Sequence, residues 1–295
     1  MRHEKSIGGY IFDIFNHILM VILVIITLYP MLYVAFASIS NPVEIAGYRG
    51  ILIKPLGFSL EAYKAVFRNP YITTGYLNTL FYVSVGTTIN LLMTSMGAYI
   101  LSRRELYWRK LVTFLIVFTM FFSGGLIPTY LLVKSLGMLN TRWSIIIPNA
   151  INVWNLLVMK TSFDNVPTSL IESAKIDGAN DFKILFRIVL PVSLPVVAVM
   201  ILFYAVGHWN AWFAAMIYLR DRNLYPLQLI LREILIANDT NMMIGSNIGN
   251  VGEREPISVT IQYATIMVAT LPILFIYPFL QKYFVKGIMI GAIKE

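Results

Sequence analysis

NPYITTGYLNTLFYVSVGTTINLLMTSMGAYILS, residues 69–102, runs for 34 positions without an Asp, Glu, Lys or Arg. An α-helix rises 1.5 Å per residue, so roughly 20 apolar residues cross the ~30 Å hydrocarbon core of a bilayer. Five more charge-free runs flank it, at 14–43, 111–133, 143–159, 188–219 and 256–281. The shortest, 143–159, is at the lower limit for a span and carries Pro148, Asn149, Asn152 and Asn155. Its polar face must look at other helices rather than lipid. The expectation is an all-α polytopic membrane protein with six transmembrane helices. Composition agrees, because 295 residues at 58% apolar and 13% charged cannot form a water-soluble domain without exposing large apolar patches.

The first run contains Ala35 and Ala37, which mimic a small-x-small cleavage site. Its apolar stretch far exceeds the roughly 7–15 residues of a signal core, so it reads as an uncleaved first span. With both termini placed in the cytoplasm, 13 of the 23 Lys and Arg residues fall on the inner side, four of them in the tight turn 103–110. This divides the chain into a cytoplasmic N-terminus (1–13), a six-helix transmembrane domain (14–281) with a cytoplasmic loop at 160–187, and a cytoplasmic tail (282–295).

Several classes of chemistry drop out. There is no cysteine, and His3, His17 and His208 are too scattered to form a familiar metal motif. No metal ligand, bound cofactor or catalytic residue is expected. The net charge of +8 sits in short clusters between apolar runs, where topology accounts for it without nucleic acid. No Asp, Glu, Lys or Arg lies inside any run, whereas ion-coupled transporters keep intramembrane carboxylates. A phosphate-binding G-x-x-x-x-G-K-[ST] loop is absent, so energy must come from another subunit. Neither a Gly-x-Ser-x-Gly elbow nor a His-Glu-x-x-His pair is present.

The 160–187 loop is polar yet patterned like folded structure. Ser169 and Glu172 have the S-x-x-E spacing of a capping box behind Pro167, predicting a short helix from about Leu170 that Gly178 ends. Phe182, Leu185, Phe186 and Val189 then repeat at helical spacing and should run straight into the fifth span. On spacing alone, a hairpin packed on the chain's own loops fits as well as a surface for a partner.

Within this loop Glu172, Ser173, Ala174, Gly178, Ile188, Leu190 and Pro191 stand in the register E-A-A-x3-G-x9-I-x-L-P, with Ser173 in place of the second residue. Asp177-Gly178-Ala179 adds a D-G-A form. The pattern resembles the signature (EAA) loop of permeases in bacterial ABC importers, and D-G-A is common among the carbohydrate ones. Ser123 to Tyr130, Trp209-Asn210, Pro226-Leu227-Gln228, Leu231-Arg232-Glu233, Lys286-Gly287 and Gly291 extend the resemblance over nearly the whole chain. It is similar to the second permease of maltose-type importers, and more so to polysaccharide and complex-oligosaccharide permeases described as lipoprotein-like transport proteins.

The resemblance implies a type I importer fold in the bacterial inner membrane. It also implies a heterodimer with a second homologous permease, two ATPase subunits that hold ATP and Mg, and an extracytoplasmic solute-binding protein. Glu172 to Ala179, with Ile188, Leu190 and Pro191, would form the coupling helix and its lever to the ATPase. Gly287, Gly291 and Lys294 of the tail would reach toward the ATPase dimer, although a positive-inside anchor explains Lys282 and Lys286 equally well. The cargo expected is a sugar or oligosaccharide, including acidic polysaccharide fragments. A non-sugar solute and, further off, an ion-coupled transporter are the alternatives.

Sugar contact is sought in span five, where Tyr204, His208, Trp209, Asn210, Trp212 and Phe213 gather flat rings and amides. Such rings cover the C–H faces of a pyranose while amides and imidazole bond its hydroxyls. Interfacial enrichment of Tyr and Trp accounts for the same residues without any sugar. Asn152 and Asn155, with Asn149, form a second candidate face, for which interhelical hydrogen bonding is the competing use. Outside the spans, 59–68 reads as an amphipathic interfacial helix and 238–252, rich in Asn and Gly, as a loop.

Overall fold

The computed structural model describes residues 7–237, 259–275 and 277–278. The loop expected at 238–252 and the tail positions Gly287, Gly291 and Lys294 lie outside them. Helix occupies each of the six charge-free runs. The described residues contain no strand, as expected where every backbone group must find its partner without water.

Among the described residues, one compact unit combines 7–69 with 233–237 and 259–271. Helix α1 (Ile7–Ser38) is apolar on all sides, and nothing in its most apolar stretch is buried within the chain, as suits a helix facing lipid or another subunit. After it, Asn41 Oδ1 accepts the Val43 N–H at 2.9 Å and Pro42 takes the first helical position, which starts α2 (Pro42–Gly47). Helix α3 (Glu61–Arg68) falls inside the predicted amphipathic segment and buries Ala62, Ala65 and Val66. Ala37, Ile45 and Leu52 are buried together, with Tyr33 and Tyr263 stacked edge to face at 5.9 Å beside them. Tyr263 belongs to the apolar helix Val259–Phe275 that occupies the sixth run.

Among the described residues, the other unit comprises 70–232 and those from 272 onward. Helix α4 (Pro70–Phe81) passes through a π-helical turn (Tyr82–Gly86) into α5 (Thr87–Ser102), giving one span of 33 residues. Helix α9 (Val153–Asp164) packs along α5, and α13 (Leu194–Trp209) packs on α5 and the π-helical turn. Ala98, Leu101, Leu156, Met159, Phe163 and Met200 are buried where these three helices meet.

Three runs that read as single spans, the third, fourth and fifth, are broken. The third consists of α6 (Arg109–Phe121) and α7 (Leu126–Ser135), bent by 113° across Ser123-Gly124-Gly125. The fourth begins as α8 (Trp143–Ile146) and a 3₁₀ turn (Ile147–Asn149), unwinds at Ala150, Ile151 and Asn152, and resumes as α9. The 160–187 loop runs directly into span five, through a sharp corner rather than along one axis. Helix α10 (Thr168–Ile176) is followed by α11 (Asp181–Ile184), a π-helical turn (Leu185–Val189) and α12 (Leu190–Val192), and the segment Asp181–Val192 meets α13 at 91°. Pro191 and Pro195 flank the corner at Ser193, where two missing N–H groups and two rings prevent the helix from continuing. Two short helices, α14 (Phe213–Tyr218) and α15 (Leu227–Ala237), follow.

Candidate functional sites

The first site is built on α10. Its start also departs from expectation, because the capping box does not form. Pro167 occupies the cap position with no side-chain bond, and its carbonyl accepts the Leu170 N–H at 3.2 Å, so the first turn begins ahead of Ser169. Glu172 is thereby left pointing outward. The helix end follows prediction. Gly178 adopts φ +77°, the Gly178 N–H bonds Lys175 O at 3.0 Å, and the Ala179 N–H bonds Ala174 O at 2.9 Å. This pair of bonds is a Schellman stop, whose left-handed residue suits glycine.

Ile171 and Ala174 anchor α10 in the core beneath it, while Glu172, Ser173, Ile176 and Asp177 face outward. Ile176 is 86% exposed, a large apolar side chain with nothing over it among the described residues. Of the expected second stripe, Leu185 and Val189 are buried, joined by Ile184, whereas Phe182 and Phe186 are exposed. The π-helical turn at Leu185 shifts the register between them. Ile188 and Leu190 pack against the same core, and Pro191 is exposed at the corner.

The loop is tied to the 103–110 turn. Lys175 Nζ meets Glu105 at 2.9 Å, Arg109 meets Asp164 at 3.2 Å, and the Tyr99 hydroxyl donates to Asp181 Oδ1 at 2.8 Å. Between them lies a polar cleft of about 450 Å³, lined by Arg103, Arg104, Arg109, Lys175 and Glu172 among others. Glu172 has no ion pair among the described residues.

The second arrangement lies within the bundle. Asn90 Nδ2 donates to the carbonyls of Asn149 (2.6 Å) and Ala150 (2.9 Å), which fixes its amide orientation and leaves Oδ1 to accept from His208 Nε2 at 2.7 Å. One turn along both helices, Tyr204 OH and Thr94 Oγ1 are 2.7 Å apart, and the Asn152 N–H reaches Tyr204 OH at 3.3 Å. Asn90 and Thr94 are four apart on α5, as Tyr204 and His208 are on α13, so two rungs of one ladder hold the unwound stretch of the fourth run. Gly86 makes the upper rung possible, since a Cβ there would lie 2.5 Å from His208 Nε2.

The sequence-predicted sugar candidates thus divide. Tyr204 and His208 are ladder rungs, Asn152 caps α9 by accepting the Asn155 N–H at 3.1 Å, Asn155 is buried, and Trp209 packs edge to face on Tyr76 at 6.3 Å. Asn210, Trp212 and Phe213 instead line an open cleft of about 390 Å³ together with Asn149, Thr129 and Tyr218. Sequence reading assigned no role to Asn90 and Thr94, which carried no signal beyond being polar residues in apolar runs, or to Thr129, which lies within the Ser123–Tyr130 resemblance.

This cleft belongs to the end of the unit opposite the loop. Asn78, near the start of the α4–α5 span, donates to Asn223 O (2.6 Å) and Tyr225 O (3.1 Å), and Arg142 donates to its Oδ1 at 2.9 Å. Residue 78 and Ser102 are separated by about 36 Å of continuous helix at 1.5 Å per residue.

A family model described as binding-protein-dependent transport system inner membrane component matches residues 6–290. The chain belongs to that family. The permease is 44% identical over 284 residues to the polygalacturonan/rhamnogalacturonan transport system permease protein YtcP of Bacillus subtilis, covering 96% of this chain and 98% of that protein. It is 43% identical over 294 residues to Protein LplC of the same organism, covering 100% and 98%. A solved bacterial ABC transporter involved in the import of the acidic polysaccharide alginate contains a chain that superposes with TM-score 0.86 at 32% identity, over 95% of this permease and 99% of that chain. The permease is therefore an all-α, multi-pass membrane subunit of an ABC transporter, with the importer permease fold.

Proposed function

We propose that this chain is one of two homologous permeases of an inner-membrane importer for a sugar or oligosaccharide, with both termini in the cytoplasm. It would stand on two ATPase subunits, which hold ATP and Mg, and receive cargo from an extracytoplasmic binding protein. The observation that carries the reading is the placement of the signature loop. Glu172, Ser173 and Asp177 are presented outward beside the exposed Ile176, on a helix tied by the Lys175–Glu105 ion pair to the most basic turn of the chain. Short loops rich in Lys and Arg stay cytoplasmic, so this end faces the ATPases. The carbohydrate relatives and the ring-and-amide cleft at the other end support the cargo.

Coupling follows from the connections. Closure of the ATPases around ATP pulls on α10, the displacement passes through the corner at Ser193 into α13, and α13 carries the Tyr204 and His208 rungs that grip the unwound stretch. Asn149, whose carbonyl Asn90 holds, lines the outer cleft, so the two ends share one mechanical element. Nucleotide and loaded binding protein then bias a common two-state equilibrium.

The test is ATP hydrolysis by the reconstituted assembly of this chain with its neighbouring permease, ATPase and binding protein. Stimulation by a sugar-loaded binding protein is expected. Assembly with stimulation only by a non-sugar solute would overturn the cargo, and failure to couple to any ATPase would overturn the role of the loop.

A further inference from the structure

The outer cleft has no Asp, Glu, Lys or Arg among its described lining residues. A single charge is stacked on its wall. Arg232 of α15 lays its guanidinium carbon 4.6 Å from the ring centroid of Trp212 and sets Nη1 3.3 Å from Met216 Sδ. It has no ion pair among the described residues. A carboxylate partner is the usual way to offset the desolvation of a half-covered guanidinium, and here an aromatic face takes that place.

Stacking leaves the edge of the guanidinium plane, which carries its N–H donors, available to a planar acceptor. A carboxylate matches that fork with two parallel charge-assisted bonds, whereas a sugar hydroxyl matches one donor at a time. Trp212 itself supplies the apolar surface on which the C–H face of a pyranose lies, and Asn149, Asn210 and Thr129 supply neutral hydrogen-bonding groups. A positive charge with no counter-ion among the described residues, one ring away from a cleft whose described lining is neutral, raises the local concentration of anions over neutral molecules of the same shape.

Resting on the sugar-permease reading, we propose that Arg232, held on Trp212, is a specificity determinant that selects an acidic, uronate-bearing oligosaccharide. The sugar face lies on Trp212 and the carboxylate turns toward the guanidinium at the rim. The competing account is that the stacked pair merely pins α15 to the segment before α14. That account demands that every sugar suffer alike when Arg232 is changed.

The experiment measures direct binding of short oligogalacturonates and of their fully methyl-esterified, neutral counterparts to the complex of this chain with its partner permease and ATPases in lipid nanodiscs. The binding protein is left out, so that its own preference does not enter. The wild-type complex should prefer the acid. Arg232→Gln should weaken acid binding roughly 10-fold or more and leave the ester unchanged, as loss of a charge-assisted bond predicts. Arg232→Lys, which keeps the charge but not the planar fork, should fall between, and Trp212→Leu should weaken both ligands. Co-purification with the partner permease reports on folding of each variant. Equal loss of acid and ester in both Arg232 variants, or no loss of either, overturns the proposal, as does a wild-type preference for the ester. Binding of acid and ester alike that Arg232→Gln leaves unchanged would remove this proposal and leave the sugar reading standing. Failure of every sugar both to bind and to stimulate ATP hydrolysis would remove the two together.

Discussion

The two ends of the α4–α5 span are built on opposite principles. At the loop end, charged side chains pair on the surface and large apolar side chains such as Ile176 and Phe182 stand exposed, a combination that invites a protein partner. At the cleft end and in the bundle below it, most of the polar groups are neutral and committed to backbone carbonyls and N–H groups. Asn78 and Asn90 each make two bonds to backbone carbonyls and a third to a side chain, Arg142 and His208 respectively. The difference follows from solvent. Exposed ion pairs are screened and weak, so they steer and tether, whereas a backbone break inside a bilayer must be satisfied by neutral partners because water is not there to do it.

The sharpest way to break this comparison is in the bundle. Asn90→Leu removes three hydrogen bonds and strands two carbonyls and the His208 ring. At about 0.6 kcal/mol per interhelical bond, with the added penalty of unsatisfied buried groups, it should cost on the order of 2–4 kcal/mol in detergent unfolding. An unchanged midpoint would mean that the ladder holds nothing. Gly178→Val comes next. Forcing a β-branched residue to φ +77° costs about 1–2 kcal/mol locally, and the Schellman stop should fray. Stimulated ATP hydrolysis is expected to fall steeply while the chain still inserts.

Smaller in stability, but not in function, is Glu172→Lys. Glu172 is exposed with no ion pair among the described residues, so unfolding should shift by less than about 0.5 kcal/mol while transport is lost. Transport at the wild-type level would remove Glu172 from the coupling surface. The smallest effect belongs to the tether. Lys175→Glu should cost about 1 kcal/mol or less, and the swap Lys175→Glu with Glu105→Lys should restore it, as read by a double-mutant cycle on unfolding.

How far each region could be read in advance differs for the same reasons. The signature loop was legible because its meaning is local. Seven residues fix a helix, a stop and a lever within one short stretch, and Gly178 behaves as its lack of a Cβ requires. The ladder was not legible, since its members come from three separated segments, and in one sequence Asn90 or His208 is indistinguishable from any polar residue in an apolar run. Capping spacing at Ser169 misled because Pro167 started the helix earlier, and the register of Phe182 and Phe186 was undone by a π-helical turn that periodicity does not encode.

The sequence by itself determined the solvent, the helical class and the loop proposed to meet a partner, because charge-free length and contiguous motifs are one-dimensional quantities. Only the tertiary structure decided where the helices break, which of the span-five rings open onto the cleft, and that Arg232 stacks on Trp212. Those depend on which side chains from distant segments reach the same backbone atoms or the same ring face, and that is set when the helices pack.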